Sequence, residues 1–284
     1  MMNVLKIQEQ IKAFFLEDIG EGDVTNQLLF QGAGRTEGEL LAKQSGILSG
    51  VKCIEVGYQL LDPSIHVTLH KHDGDTLEKG ERIATIEGPV EHLLTGERVI
   101  LNLLQHMSGI ATITKKVVNE LNNSDIRVCD TRKTFPGLRM FEKYAVTCGG
   151  GFNHRKGLYD GIMLKDNHIA FAGSISNAVQ MLREQTGHMV KIEVETENQD
   201  EVIEAVQAGA DIIMFDNCTP EEADRYAKLV PQSIITEISG GITLDNIASY
   251  RDTDVDYISL GFITQSAPAL DISFNLKESR KYTK

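Results

Sequence analysis

VKIEVE (Val190–Glu195), DIIMFD (Asp211–Asp216), IITEIS (Ile234–Ser239) and DYISLG (Asp256–Gly261) are short runs rich in β-branched residues. Two earlier runs, IRVCDT (Ile126–Thr131) and GIMLK (Gly161–Lys165), have the same character. Helical patterns separate the later ones, at Ser176–Thr186, Gln199–Ala208, Pro220–Leu229 and Leu244–Tyr250. Apolar strands alternating with helices in this way form a parallel sheet buried on both faces. With right-handed crossovers, the six strands make either a doubly wound sheet or a barrel of the (β/α) type. The strand ends favour the barrel. Each closes on polar or charged residues: Asp130-Thr131-Arg132, Lys165-Asp166, Glu193 and Glu195, Asp216-Asn217, Ser239-Gly240, and Ser259 with Gly261. Barrel enzymes assemble their sites at that end, from several strands at once.

Upstream of the repeat the rhythm changes. The opening MMNVLKIQEQIKAFF places Val4, Ile7, Ile11, Phe14 and Phe15 at helical spacing and has no cleavage-site pattern, so it is expected to be a helix and not a leader. EDIGEGDVTN (17–26) is a turn region, GRTEGELLAKQSGILSG (34–50) reads as strand, turn and helix start, and a helix follows near Val51–Leu61. Alternating Ile65, Val67 and Leu69, with Gly74 and Gly80 as punctuation, predict two strands around an exposed turn. That hairpin has a surface likeness to a biotinyl or lipoyl carrier but lacks the carrier's lysine motif at its tip. An α+β unit with an antiparallel sheet is the expectation. From Glu91 to about Asn122 runs a long amphipathic helical stretch, expected to break near Ser108-Gly109.

The 284 residues suffice for one large domain or two modest ones, and 41% hydrophobic with 24% charged residues is ordinary globular composition. A formal charge of −13 argues against a broad nucleic-acid surface. No apolar run is long enough for a membrane helix. The four cysteines show no ligand or disulfide spacing, which predicts reduced thiols and a cytoplasmic protein. The acidic average conceals one inversion. Between Arg127 and Lys165 lie Arg127, Arg132, Lys133, Arg139, Lys143, Arg155, Lys156 and Lys165, against only Asp130, Glu142 and Asp160. Cations concentrated within an acidic chain point to a small anionic ligand.

Three groups carry chemistry. ISGGI (Ile238–Ile242) and SLGFI (Ser259–Ile263) place glycines after the last two strands, where backbone amides and helix N-termini of barrels bind phosphate. Glu195 and Asp216 end adjacent strands beside that position, and hard oxygen ligands next to phosphate suit Mg²⁺. Glu193 shares a face with Glu195 but sits deeper. Arg132, Lys133, His154, Arg155 and Lys165 lie in glycine- and proline-rich turns, and such a cluster suits a substrate with more than one carboxylate.

DTRKTFPGLR (Asp130–Arg139), GGGFNHRKGLYD (Gly149–Asp160), KDNH (Lys165–His168), EVE (Glu193–Glu195), MFDN (Met214–Asn217), EISGGI (Glu237–Ile242) and SLGFIT (Ser259–Thr264) occur in this order. The ordered set resembles the quinolinate phosphoribosyltransferase family, the carboxylating nicotinate-nucleotide pyrophosphorylases, over nearly the whole chain. The resemblance implies an α/β fold: an incomplete, about seven-stranded α/β barrel at 106–269 and an N-terminal α/β sandwich domain at 1–105, to which the tail 270–284 returns. It implies that Arg132, His154, Arg155 and Lys165 bind the quinolinate carboxylates, with Lys133 beside them toward the ribose phosphate donor. Glu195 and Asp216 would hold ribose hydroxyls and Mg²⁺, and Ser239, Gly240, Gly241, Ser259 and Gly261 the 5′-phosphate. Lys133, Lys165, Glu195 and Asp216 are the implied catalytic set. Arg98, in ERVILN, would complete the site of a neighbouring subunit, making the protein at least a homodimer. Phe135 and Gln265 depart from the family pattern, where a small polar residue and a histidine are common.

The implied reaction joins quinolinate to 5-phosphoribosyl-1-pyrophosphate, giving nicotinate mononucleotide, pyrophosphate and CO2 in NAD biosynthesis. A same-fold paralogue of the molybdenum-transport-associated type is the alternative, and a Schiff-base lyase using Lys165 a more distant one.

Overall fold

The computed structural model describes residues 2–30 and 32–277. Its elements begin with α1 (Val4–Ile19), α2 (Val24–Leu29), β1 (Arg35–Ala42), β2 (Gly46–Ile47), α3 (Val51–Leu61), β3 (His66–Leu69), β4 (Thr76–Leu77), β5 (Arg82–Pro89) and α4 (Val90–Leu121). Then come β6 (Arg127–Cys129), α5 (Arg139–Cys148), β7 (Ile162–Leu164), α6 (Asp166–Ala172), α7 (Ile175–Arg183), β8 (Ile192–Thr196), α8 (Gln199–Ala208), β9 (Ile212–Asp216) and α9 (Pro220–Ala227). β10 (Ile235–Ser239), a 3-10 turn (Ile247–Tyr250), β11 (Tyr257–Ser259), α10 (Phe262–Gln265) and β12 (Ile272–Leu276) complete the described chain. Two compact units emerge, one from Met1–Lys115, Pro136–Gly150 and Ser266–Lys284, the other from Lys116–Phe135 and Gly151–Gln265.

In the first unit, Asn3 caps α1 by accepting from the Leu5 and Lys6 amides, and Ile7, Ile11 and Phe15 are the buried stripe. Its antiparallel sheet has the order β12-β1-β5-β3. The predicted hairpin is present as β3 and β5, with Val67 opposite Ile86. β12 pairs with β1, Phe274 lying opposite Leu40, so the chain's last described strand closes this sheet; residues 278–284 of the expected returning tail lie outside the described residues.

The expected break in α4 is absent: the helix runs unbroken for 32 residues. Ser108 and Gly109 serve packing instead. The buried Ser108 hydroxyl accepts from the Ser49 amide at 3.0 Å. A Cβ on Gly109 would lie 2.1 Å from the Pro268 carbonyl oxygen, so only glycine admits that strand of chain. α5 is a second departure. Arg139 and Lys143, which the sequence counts within the basic stretch, sit on this helix, and Lys143 is buried.

In the second unit all six expected strands form, parallel, in the order β6-β11-β10-β9-β8-β7. The first strand of the unit pairs with the last, Val128 opposite Ile258, which is how a sheet closes into a barrel. On the other side of β6, Phe152 makes a single parallel bridge to Cys129. That bridge holds the seventh place, which sequence alone leaves unassigned. Its isolation from β7 is the gap in the barrel. The Leu244–Tyr250 helix contracts to the 3-10 turn, because Asn246 bends back to accept from Thr243 N at 2.7 Å and to donate to the Gly241 carbonyl at 3.0 Å.

Candidate active site

Several predicted residues lie just beyond or at the last strand residues. Asp130-Thr131-Arg132 follows β6 and Lys165 follows β7, while Asp216, Ser239 and Ser259 end β9, β10 and β11 in register side by side. Around them opens a cavity of about 480 Å³. Its lining comprises Thr131, Arg132, Lys133, His154, Arg155, Met163, Lys165, Glu195, Met214, Asp216, Asn217, Ser239, Gly240, Gly241 and Ser259. Of the eight cations in the basic stretch, four reach it: Arg132, Lys133, Arg155 and Lys165. Arg127 stacks instead on Phe152 and Tyr257, at 5.1 and 5.5 Å from their ring centres.

One acid organises the cationic side. Asp130 is fully buried and accepts from Asn153 Nδ2 at 2.7 Å and from His154 N at 2.9 Å. It thereby ties the turn carrying Arg132 to the turn carrying Arg155. The Thr131 hydroxyl accepts from Lys133 N at 2.9 Å and tightens the first turn. Arg155 donates to the Gly161 carbonyl at 2.9 Å. Burial, then repulsion from Arg132, pulls its guanidinium down from the ordinary value, the mark of two cations facing a shared space. Among the described residues neither Arg132 nor Lys133 has an ion-pair partner.

The acidic side opposes it. Lys165 and Glu195 form an ion pair across the mouth. Burial, followed by the Glu195 charge, raises the Asp216 carboxyl above its usual range, while Asn217 Nδ2 donates to it at 2.6 Å. Two oxygen-bearing acids that repel one another at the rim of a cavity fit a divalent cation.

The glycine turn supplies the third wall. Gly240 and Gly241 have φ of +90° and +66°, and among the described residues their amides donate to no protein acceptor. Successive amides free in this way form an anion-binding concavity. No α-helix follows them, so the expected helix dipole at this turn is replaced by the amides themselves. Gly261 does not line the cavity. A Cβ there would meet Lys133 Cδ at 2.8 Å, so this glycine makes room for the lysine stem, whose carbonyl accepts from Thr264 Oγ1 at 2.7 Å.

Arg98 is not part of this cavity. It lies on α4 in the first unit, its side chain 61% exposed, and lines a separate opening with Phe14, Glu17, Asp18, Asn102, His106 and Pro136. Thr131 and Asn217, singled out only as polar strand ends, join the lining, and the sequence pattern alone does not single out Met163 and Met214 in it or Glu237 below it. Glu237 was legible in principle, since it precedes Ser239 by two on one strand face, as Glu193 precedes Glu195. Phe135 is exposed and outside the lining.

A parallel barrel whose open end sets unpaired cations against paired acids and a glycine anion cradle is a site for a multiply anionic, phosphorylated substrate. Comparison with known proteins makes the class particular. Residues 23–108 match the model of the quinolinate phosphoribosyl transferase N-terminal domain, and residues 110–275 that of its C-terminal domain. A probable carboxylating nicotinate-nucleotide pyrophosphorylase of Bacillus subtilis is 54% identical over 280 residues, 99% of this chain and 96% of that protein. The human carboxylating nicotinate-nucleotide pyrophosphorylase is 38% identical over 253 residues, 87% of this chain and 84% of that protein. The crystal structure of NadC from Streptococcus pyogenes superposes with a TM-score of 0.94 at 40% identity, covering 98% of both chains. The chain belongs to the quinolinate phosphoribosyltransferase family.

Proposed function

We infer that this protein transfers a phosphoribosyl group to quinolinate, forming nicotinate mononucleotide, pyrophosphate and CO2 in NAD biosynthesis. The observation that carries the reading is that Arg132, Arg155 and the Gly240-Gly241 cradle line one cavity. The guanidiniums and Lys165 suit the two carboxylates of the pyridine, and the glycine amides with Ser239 and Ser259 suit the 5′-phosphate. Lys133, whose stem passes Gly261, lines the same cavity and suits the donor's pyrophosphate.

Glu195 and Asp216 fit Mg²⁺, which when bound supplies positive charge to the departing pyrophosphate. The chain's own residues do the rest. The same two acids lie where the ribose develops cationic character, and their charge stabilises that state. Arg132 and Arg155 orient the pyridine so that its nitrogen faces the ribose carbon, and the C–O bond to pyrophosphate breaks as the C–N bond forms. The alkylated ring nitrogen is then an electron sink. The bond to the adjacent carboxylate breaks, CO2 leaves, its electron pair stays on the ring carbon, and that carbon takes a proton. Lys165, released from Glu195 by substrate, moves to the carboxylate.

We further assign the protein to the cytoplasm as a homodimer in which Arg98 reaches the neighbouring site. Among the described residues, no helix is long and apolar enough to cross a membrane. Isothermal titration of Mg²⁺ with the donor tests the acid pair. Asp216→Asn is expected to abolish metal-dependent donor binding while leaving quinolinate binding in place; unchanged metal dependence would remove Asp216 from the role.

A further inference from the structure

Asn217 lines the cavity between the acids and the glycine turn, in a backbone conformation that side chains disfavour. Its φ is +52°, in the left-handed region, and among the described non-glycine residues only Asn122 shares that conformation. Asn122 stands just past the end of α4, where its amide donates to the Val118 carbonyl at 3.2 Å, an ordinary helix stop. Asn217 stops no helix. It follows β9, and the chain is pinned on both sides of it. The Asn217 amide donates to the Ser239 carbonyl at 2.8 Å, and the Cys218 carbonyl accepts from the Tyr250 hydroxyl at 3.0 Å. Backbone held this firmly in a disfavoured conformation at a cavity wall serves to aim a side chain.

That side chain spans two parts of the site. Nδ2 donates to Asp216 Oδ2 at 2.6 Å, and among the described residues no other group donates to this carboxylate. Oδ1, on the other branch of the amide, lies over Gly240: a Cβ there would meet Oδ1 at 2.3 Å and Cγ at 2.7 Å. Glu195 is held by a cation, Lys165, which balances its charge. Asp216 is held by a neutral amide, so its carboxylate keeps its charge for what the cavity binds.

We propose that Asn217 is a positioning residue that fixes the Asp216 carboxylate against the Gly240-Gly241 turn, and so sets the span between that acid and the phosphate cradle. The proposal rests on the reading of those two features as grips on the phosphoribosyl donor. The donor is one molecule, with its 5′-phosphate at one end and its reacting ribose carbon and pyrophosphate at the other. Both grips engage it together only when their separation is right. Asn217 meets both through one planar amide. Quinolinate, gripped by Arg132 and Arg155, does not depend on it.

Asn217→Gly tests this on the whole enzyme, because glycine adopts the left-handed backbone freely and only the amide is lost. In steady-state assays with Mg²⁺, the donor KM is expected to rise about tenfold and the quinolinate KM to stay within about twofold. The Mg²⁺ concentration for half-maximal rate should rise with the donor KM. Asn217→Ala should show the same donor KM but a lower melting temperature, since it adds backbone strain to the same loss of amide. A wild-type donor KM in Asn217→Gly, or a rise in both KM values together, overturns the proposal. A crystal structure of ligand-free Asn217→Gly reads the same point without turnover. Asp216 should leave its wild-type rotamer, whereas Asp216 and residues 239–241 unmoved contradict the proposal. That readout stands even if the wild type does not consume quinolinate, an outcome that faults the substrate assignment and not the role of Asn217.

Discussion

Gly240→Ala separates the phosphate cradle from every other part of the site. Gly240 has φ +90°, and a Cβ built there lies 2.3 Å from Asn217 Oδ1, 2.7 Å from its Cγ and 2.9 Å from its backbone nitrogen. The left-handed backbone costs an L-residue roughly 1–2 kcal/mol. The side-chain amide of Asn217 can swing away, but its backbone nitrogen is tied to the Ser239 carbonyl at 2.8 Å, so the turn itself must shift. Overpacking of this kind adds about 1–3 kcal/mol. The sum, about 2–5 kcal/mol, is within what a folded domain of roughly 5–15 kcal/mol survives. Two controls calibrate it. Gly241 has φ +66° with its nearest atom at 3.9 Å, and Gly209, after α8, has φ +76° with nothing within 4 Å. Both alanine variants should show only the backbone cost, and Gly209→Ala should leave all kinetics alone. Urea denaturation with steady-state kinetics reads the outcome. Gly240→Ala should lose more stability than either control and raise the donor KM with little change in quinolinate KM. Equal losses at Gly240 and Gly209, or an unchanged donor KM, would refute the cradle.

Further outcomes follow from the same geometry. Arg132→Ala or Arg155→Ala removes a charged contact worth about 1.5–3 kcal/mol, so quinolinate kcat/KM should drop on the order of ten- to a hundredfold, with donor binding measured by titration unchanged. Asp130→Asn keeps the volume but weakens both hydrogen bonds that join the cationic turns; quinolinate KM should rise more than donor KM in parallel assays. Glu237 also sets a stability trend. Its folded carboxyl titrates near 7, above the ordinary carboxylate value, so its contribution is complete in acid and fades as pH climbs to about 7. Thermal melts across pH 5–8 should show Glu237→Gln gaining on wild type as pH rises, and parallel curves would contradict the raised titration.

Much of the fold is legible because burial on both faces leaves an unambiguous mark. On β8, Ile192 and Val194 alternate with Glu193 and Glu195, and on β9 the apolar run 212–215 ends at Asp216. The readings that failed were those where a local rule met a tertiary contact. Ser108-Gly109 looks like a helix break, but a buried hydroxyl bond and a close carbonyl approach use both residues inside a continuous α4. The seventh barrel position is one bridge at Phe152, too short for any periodicity to reveal. At the site, strand-end polarity located Glu195, Asp216 and Ser239. The two-residue spacing that marks Glu195 marks Glu193 and Glu237 equally. What sets the deeper acids apart is depth, which needs the closed barrel to define.

The central claim is that one cavity joins quinolinate to the phosphoribosyl donor and releases a carboxylate. Incubating the protein with Mg²⁺, the donor and quinolinate carrying ¹³C in the carboxyl next to the ring nitrogen measures it directly. Labelled CO2, pyrophosphate and nicotinate mononucleotide are expected in equal amounts, with nicotinate a far poorer acceptor. Pyrophosphate release without labelled CO2, or nicotinate accepted as readily as quinolinate, would contradict it.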